Sequence, residues 1–137
     1  MADYRKPLPV PTAESEPFWD AVKRHEFLLQ KCQACGEFSH PPRSYCPNCS
    51  SDQLQWTKVS GRGSLYSWGI AHRQGHPAFR DDVPYVIGLI ELDEGVRFLS
   101  NVIDCAFDQL RVGLPLEVVF EDVTPEATLP KFRPLRA

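Results

Sequence analysis

Apolar and polar positions follow two different periods along this chain. Near the start, Phe18, Trp19 and Val22 recur at helical spacing beside polar Asp20, Lys23 and Arg24, which predicts a short amphipathic helix beginning at Ser15 or Glu16. Pro17 suits its first turn, where a missing N–H costs little. Such a stripe serves either as a packing face or as an element that docks on a partner. From Gly63 the period becomes two: Tyr66, Trp68 and Ile70 alternate with Ser67, Gly69 and Ala71. Pro84 then precedes a mostly apolar run, Tyr85 to Leu92, which reads as a strand buried on both faces. Asp93-Glu94-Gly95 is a tight-turn signal before Val96 to Val102, so these two strands should form a hairpin. Gly113 marks another turn before a strand at Leu116 to Phe120. Short strands with turn signals and little helix argue for a small barrel or sandwich. Residues 73–83 form a long loop with no periodicity, and Gly61-Arg62-Gly63 opens the strand region as a turn.

Between helix and strands lie Cys32-Gln33-Ala34-Cys35-Gly36 and Cys46-Pro47-Asn48-Cys49-Ser50, two C-x-x-C pairs ten residues apart. Each such turn presents two thiolates to one ion, and two turns complete a tetrahedral shell. Cys32, Cys35, Cys46 and Cys49 are therefore the candidate metal ligands. Zinc is the first choice, one per chain, and iron in the same all-sulfur geometry the second. Disulfides are disfavoured in a reducing compartment, and a redox pair needs one C-x-x-C in a thioredoxin-like βαβ setting. Four thiolates leave no open coordination position, whereas catalytic zinc keeps one, so a metal here is expected to be structural. His40 lies between the pairs and reads as a surface histidine; Cys105 reads as a buried, inert thiol.

Composition narrows the function classes. Of 137 residues, 42% are hydrophobic and 24% charged, enough for a packed core. No apolar run approaches the roughly 20 residues of a membrane-spanning helix. Met1 to Pro11 mixes charges with prolines and has no signal-like apolar stretch, so the expectation is a soluble, cytoplasmic protein without a membrane partner. Nine of the thirteen prolines cluster in Pro7 to Pro17, at Pro41 and Pro42 and in Pro125 to Pro134, which suggests extended arms. Residues 61–122 hold five arginines, no lysine and ten acids, a net −5. That sign argues against a nucleic-acid module, the second reading that a ribbon plus barrel invites, despite Tyr66, Trp68 and Phe98 as stacking candidates. No nucleophile and base share a motif, and no phosphate loop or dinucleotide fingerprint is present. His72 and His76 flank the long loop and read as polar loop residues.

The order of these features resembles one family. It comprises the Phe18-Trp19 helix, Cys32-x-x-Cys35-Gly36, Pro41-Pro42-Arg43, Cys46-Pro47-x-Cys49 and Gly61-Arg62-Gly63. It continues through Pro84-Tyr85, Leu92-Asp93-Glu94-Gly95-Val96-Arg97, Leu110-x-x-Gly113 and Leu129-Pro130-Lys131-Phe132-Arg133-Pro134, so that it covers roughly residues 15–136. The family, long known as a domain of unknown function, joins an N-terminal helix and a rubredoxin-like zinc ribbon to a C-terminal OB-fold. The implied architecture is mainly β. It has an arm and helix over 1–26, a four-cysteine ribbon over 27–60, and a five-stranded OB-like barrel with an extended basic tail over 61–137. The implied function is that of a non-catalytic accessory subunit of an acyl-CoA-processing complex. Thiolase-like partners, hydroxymethylglutaryl-CoA synthase assemblies, acyltransferases or MaoC-type hydratases would supply the catalytic residues in a hetero-oligomer, and the CoA moiety can sit at the shared interface. Ser50 departs from the glycine that rubredoxin-type knuckles place there, which weighs against iron. CoA phosphates need cations, and Arg43, Arg73, Arg80, Lys131, Arg133 and Arg136 are available. Phe79, Arg80, Lys131, Arg133 and Arg136, in the long loop and the basic tail, are the expected contacts with CoA or partner.

Overall fold

In the computed structural model, which describes residues 4–136, Ser15 precedes helix α1 (Glu16–Lys23), with Pro17 in the first turn. Its buried side is Phe18, Ala21 and Val22. Three strands follow: β1 (Leu28–Cys32), β2 (Phe38–Ser39) and β3 (Leu54–Lys58), in the antiparallel order β2-β1-β3. Five more, β4 (Arg62–Ala71), β5 (Tyr85–Leu92), β6 (Arg97–Val102), β7 (Pro115–Asp122) and β8 (Thr128–Pro134), close a barrel in the order β4-β5-β6-β8-β7. The fold is mainly β, with one α-helix among the described residues, as expected. The predicted β5–β6 hairpin is present, with Gly95 at φ +90° in its turn. Single 3-10 turns lie at Pro77–Phe79, inside the long loop, and at Phe107–Gln109.

Gly61 and Gly63 open the barrel because nothing larger fits. A Cβ on Gly61, which sits at φ +74°, would overlap the Val118 side chain, and one on Gly63 would overlap the Glu91 carbonyl. β4 is thereby pressed onto β5 and β7.

Helix, ribbon and barrel share one apolar core. Phe27, just before β1, lies 5.8 Å from Phe18 of the helix, 5.2 Å from Phe98 of β6 and 6.2 Å from Phe132 of β8, ring centre to ring centre. The three-stranded ribbon contributes Leu29 to the same cluster. A segment this short cannot enclose a core of its own, so it leans on the barrel and on the helix.

Three expectations are corrected here. The basic tail is no free arm but β8: Phe132 is fully buried, and the strand pairs with β7 from Leu116↔Pro134 to Asp122↔Thr128. The inward set Thr128, Pro130 and Phe132 does alternate with Leu129, Lys131 and Arg133, but prolines at 125, 130 and 134 disguised the period. β5 is buried on one face, not two; Val86, Gly88, Ile90 and Leu92 point inward, while Ile87 stays 39% exposed. Lastly, a bulge between Leu65 and Ser67 breaks the alternation in β4. Tyr66 therefore turns outward, with the Arg97 guanidinium 3.9 Å from its ring centre, and does not share a face with Trp68 and Ile70.

Candidate functional site

The four cysteines converge. Their sulfurs all lie within 4.8 Å of one another, with Cys32 to Cys49 and Cys35 to Cys46 each 3.6 Å apart. A tetrahedron of sulfurs at about 2.3 Å from an ion has edges of about 3.8 Å, so this set fits a bound metal closely.

The two knuckles are built alike. In the first, the Gly36 N–H donates to the Cys32 carbonyl (2.8 Å) and the Cys32 N–H to the Glu37 carbonyl (2.9 Å). In the second, the Ser50 N–H donates to the Cys46 carbonyl (2.9 Å) and the Cys46 N–H to the Ser51 carbonyl (2.8 Å). Both turns need a left-handed residue after the second cysteine. Gly36 supplies it at φ +81°, whereas Ser50 adopts φ +66° against its steric preference. Between the knuckles, Gln30 on β1 holds the chain with two bonds. Its Nε2 donates to the Arg43 carbonyl (2.9 Å), and its Oε1 accepts from the Arg43 N–H (2.8 Å).

Amide donors favour the charged form of sulfur. The Cys35 N–H reaches the Cys32 Sγ at 3.4 Å, the Asn48 N–H the Cys46 Sγ at 3.3 Å, and the Asn48 side-chain amide the Cys35 Sγ at 3.5 Å. The Cys32 thiol is lowered to about 6, first by the Cys35 amide, against burial, with help from the Ala34 amide. Cys35 is lowered as well, first by the Asn48 side chain. Cys49 has the Ser51 amide in its favour, yet the neighbouring Cys32 sulfur and burial push it up to about 12. A metal binding here would displace the protons still held on these sulfurs.

Two clefts of about 440 Å³ each flank the β6–β8 seam, where these strands run parallel and meet at Val102↔Phe132. Phe18, Trp19, His40 and Phe98 are among the walls of the first. The second lies between the N-terminal arm and the long loop, with Tyr4, Lys6, Phe79, Tyr85 and Lys131 among its walls. Asn101, Leu129 and Lys131 belong to both, so the two form one groove.

Of the residues expected to meet CoA or a partner, Phe79 and Lys131 are brought together in the second cleft. Arg80 is exposed next to Phe79, and Arg136 is exposed past the end of β8. Lys131 and Arg133 stand on the outer side of β8 against acids of β7, with Lys131 Nζ 3.1 Å from Glu121 and Arg133 Nε 2.9 Å from Glu117. These pairs neutralise most of what the sequence presented as a basic tail. The arm was not recognised as part of this region. Lys6 bonds Asp82 at 2.8 Å and lies 5.6 Å from the centre of the Phe79 ring. Residues 1–3 of the expected arm lie outside the described residues.

The histidines separate into distinct roles. His76 accepts the Ala78 N–H on Nδ1 (3.1 Å) and so caps the Pro77–Phe79 turn, while His72 is exposed. His25, at φ +63°, places Nε2 2.9 Å from Asp122 and stacks on Phe120 at 5.2 Å, tying the helix end to the barrel. Its only sequence signal is an isolated histidine after a helix. Cys105 is half-buried, with its thiol pushed up by burial.

His40 is not a surface residue. Its ring lies 4.6 Å from Phe98 and 5.7 Å from Phe18, and burial pushes its pKa down to about 4. The unfolded chain takes up a proton near 6.5 that the folded protein refuses until about 4. Stability contributed by the neutral ring is therefore complete above 6.5 and falls with pH through that window. The expected loss is on the order of 2 kcal/mol, given the ring's residual exposure. His40→Phe should flatten the decline between pH 6.5 and 4, read as melting temperature at matched metal content. The Asp122 carboxyl, lowered by Thr128 and then His25, adds a loss of the same sign below about 3.8.

Comparison with known proteins agrees with this architecture. Residues 19–55 match the family model described as the ChsH2 rubredoxin-like zinc ribbon domain, and residues 56–121 the one described as the ChsH2 C-terminal OB-fold domain. A probable enoyl-CoA hydratase alpha subunit of Thermomonospora curvata is 36% identical over 94% of this chain, but the chain spans 40% of that relative. A DUF35 domain-containing scaffold protein of Methanothermobacter thermautotrophicus is 34% identical, covering 76% of this chain and 78% of its own length. Among solved structures, a chain of the Ltp2-ChsH2(DUF35) aldolase superimposes with a TM-score of 0.83 at 36% identity, covering 92% of this chain and 98% of its own. With both ribbon and barrel matched in order, this chain belongs to the ChsH2-type DUF35 family of zinc-ribbon and OB-fold proteins.

Proposed function

We propose that this chain is a non-catalytic accessory subunit of an acyl-CoA-processing complex of the thiolase or aldolase type, in which a thiolase-like partner carries the catalytic residues. One observation supports the reading: four sulfurs lie within 4.8 Å of one another, a set that would close the shell of one ion and leave no position for water or substrate. The relatives support it by name, one as a scaffold protein, one as a probable hydratase alpha subunit, and a third as a chain of the Ltp2-ChsH2(DUF35) aldolase. The ion is zinc, which suits a closed all-thiolate set, and Ser50 departs from the glycine of iron-binding knuckles. Residues 1–26, 27–60 and 61–137 act as arm and helix, ribbon and barrel. No helix among the described residues is long and apolar enough to cross a membrane, and the complex works in the cytoplasm.

Contact with CoA falls to the second cleft. Phe79 offers an apolar wall, Lys131 a cation held ready by Glu121, and Arg80 an exposed guanidinium with no ion pair among the described residues. Arg136, exposed past the end of β8, adds a further cation, and Arg133, held by Glu117, orients that strand. The test is co-expression with a thiolase-like acyl-CoA enzyme from the same genome. The two should co-purify, acyl-CoA turnover should need both, and Arg80→Glu should raise the KM for acyl-CoA several-fold. Turnover by the chain alone would refute the proposal.

A further inference from the structure

β4 runs past the barrel wall. It pairs with β7 through Arg62, Gly63 and Ser64, and the 111–114 turn covers Leu65 with two further bonds: the Leu65 N–H to the Leu114 carbonyl (2.9 Å) and the Gly113 N–H to the Leu65 carbonyl (2.8 Å). After the bulge at Tyr66, Ser67 to Ala71 pair with β5, and no backbone group among the described residues reaches the other side of 66–71. An antiparallel strand turns alternate N–H and C=O groups to each side, so this row of donors and acceptors faces solvent over about 20 Å.

Apart from the bulge at Leu65/Ser67 where it begins, the row lacks the usual devices that blunt a sheet edge. Such edges are usually short, or carry charge or proline. β2 is two residues long, and the outer edge of β3 presents Gln55, Thr57 and Lys58. Tyr66-Ser67-Trp68-Gly69-Ile70-Ala71 has neither charge nor proline, and its first four residues are exposed, Tyr66 to 43% and Trp68 to 36%.

We infer that the Tyr66–Ala71 edge receives an extended strand of the catalytic partner, which adds itself to the barrel sheet. This inference rests on the accessory-subunit reading above. The exposed row demands backbone groups at strand spacing, which a helix has already consumed internally. Its ends fix the rest of the chemistry. Exposed Arg111 stands in the turn beside Leu65, and exposed His72 and Arg73 follow Ala71. A second copy of β4, laid antiparallel along the row, would bring its own Arg73 towards Arg111 at both ends. An uncharged segment of five to seven residues with Asp or Glu at its ends satisfies the row and the arginine at each end.

The test is hydrogen–deuterium exchange on the isolated chain and on its complex with the co-purified acyl-CoA enzyme, beside the variants Ser67→Lys and Trp68→Lys. In the complex, the outward amides of 66–71 should exchange at least tenfold more slowly than in the isolated monomer. Each variant should keep its melting temperature within a few degrees and bind the enzyme at least tenfold more weakly. A complex that forms with unchanged exchange at 66–71 overturns this inference and leaves the accessory role standing. An isolated chain that dimerises with these amides protected makes the second copy the occupant and overturns it too. If no acyl-CoA enzyme binds the wild-type chain, the accessory role and this edge fall together.

Discussion

Replacing Cys32 with serine should strip the ribbon of its ion and leave residues 28–58 without protection against hydrogen exchange. The ribbon has few means of holding itself together. β2 is two residues long, and the chain between the knuckles is fastened by the paired Gln30–Arg43 bonds. In small closed zinc sites the binding free energy, roughly 10–16 kcal/mol at neutral pH, is itself folding free energy. Cys32 is the ligand of choice for the test because it is fully buried at the end of β1 and its thiolate accepts the Cys35 amide. The barrel should survive in part, since its five strands close without the ribbon. The expected result is therefore a split: exchange protection persists in β5 and β6 and disappears in β1 to β3. Chelation of the wild-type protein should reproduce it, faster at pH 5 than at pH 8, because protons compete with the ion for sulfur.

Phe98→Ala should be the most damaging change away from the cysteines. Phe98 is buried on β6 at the meeting point of all three units, within 6.0 Å of Phe18, 5.2 Å of Phe27, 6.0 Å of Phe132 and 4.6 Å of His40 by ring centres. Truncating a buried phenylalanine costs about 3–5 kcal/mol, partly because the cavity does not collapse. At this size that is a fall of roughly 10–20 °C in melting temperature. Phe27→Ala should cost a similar amount, and the double variant less than the two combined, since the rings touch. A fully additive pair would mean that ribbon and barrel fold independently. Emptying this aromatic junction also enlarges the first cleft, so the double variant should bind hydrophobic dyes.

Much of this was legible before any coordinates. The two C-x-x-C turns specify their own geometry, because a short loop can present two sulfurs to one point in few ways. The helix announced itself through Pro17 and the Phe18–Val22 stripe, and the β5–β6 hairpin through Asp93-Glu94-Gly95. What escaped the sequence was non-local. Lys131 and Arg133 look like a basic tail until β7 places Glu121 and Glu117 beside them. His40 reads as a loop histidine until Phe18 and Phe98, 22 and 58 residues away along the chain, close over it. Tyr66 breaks its period because a bulge is set by pairing and leaves little local trace. The apolar run of β5 suggested burial on both sides, and the outer side is instead half-buried, with Ile87 exposed. An outer face of this kind is what a subunit that works inside an assembly would present.

The central claim is that the ion shapes the protein and touches no substrate. X-ray absorption at the metal edge of the purified chain tests it directly. The account predicts one zinc with four sulfur neighbours at about 2.3 Å and no lighter atom in the shell. An oxygen or nitrogen ligand at about 2.0 Å in place of one sulfur would mean an open, reactive position and would contradict it.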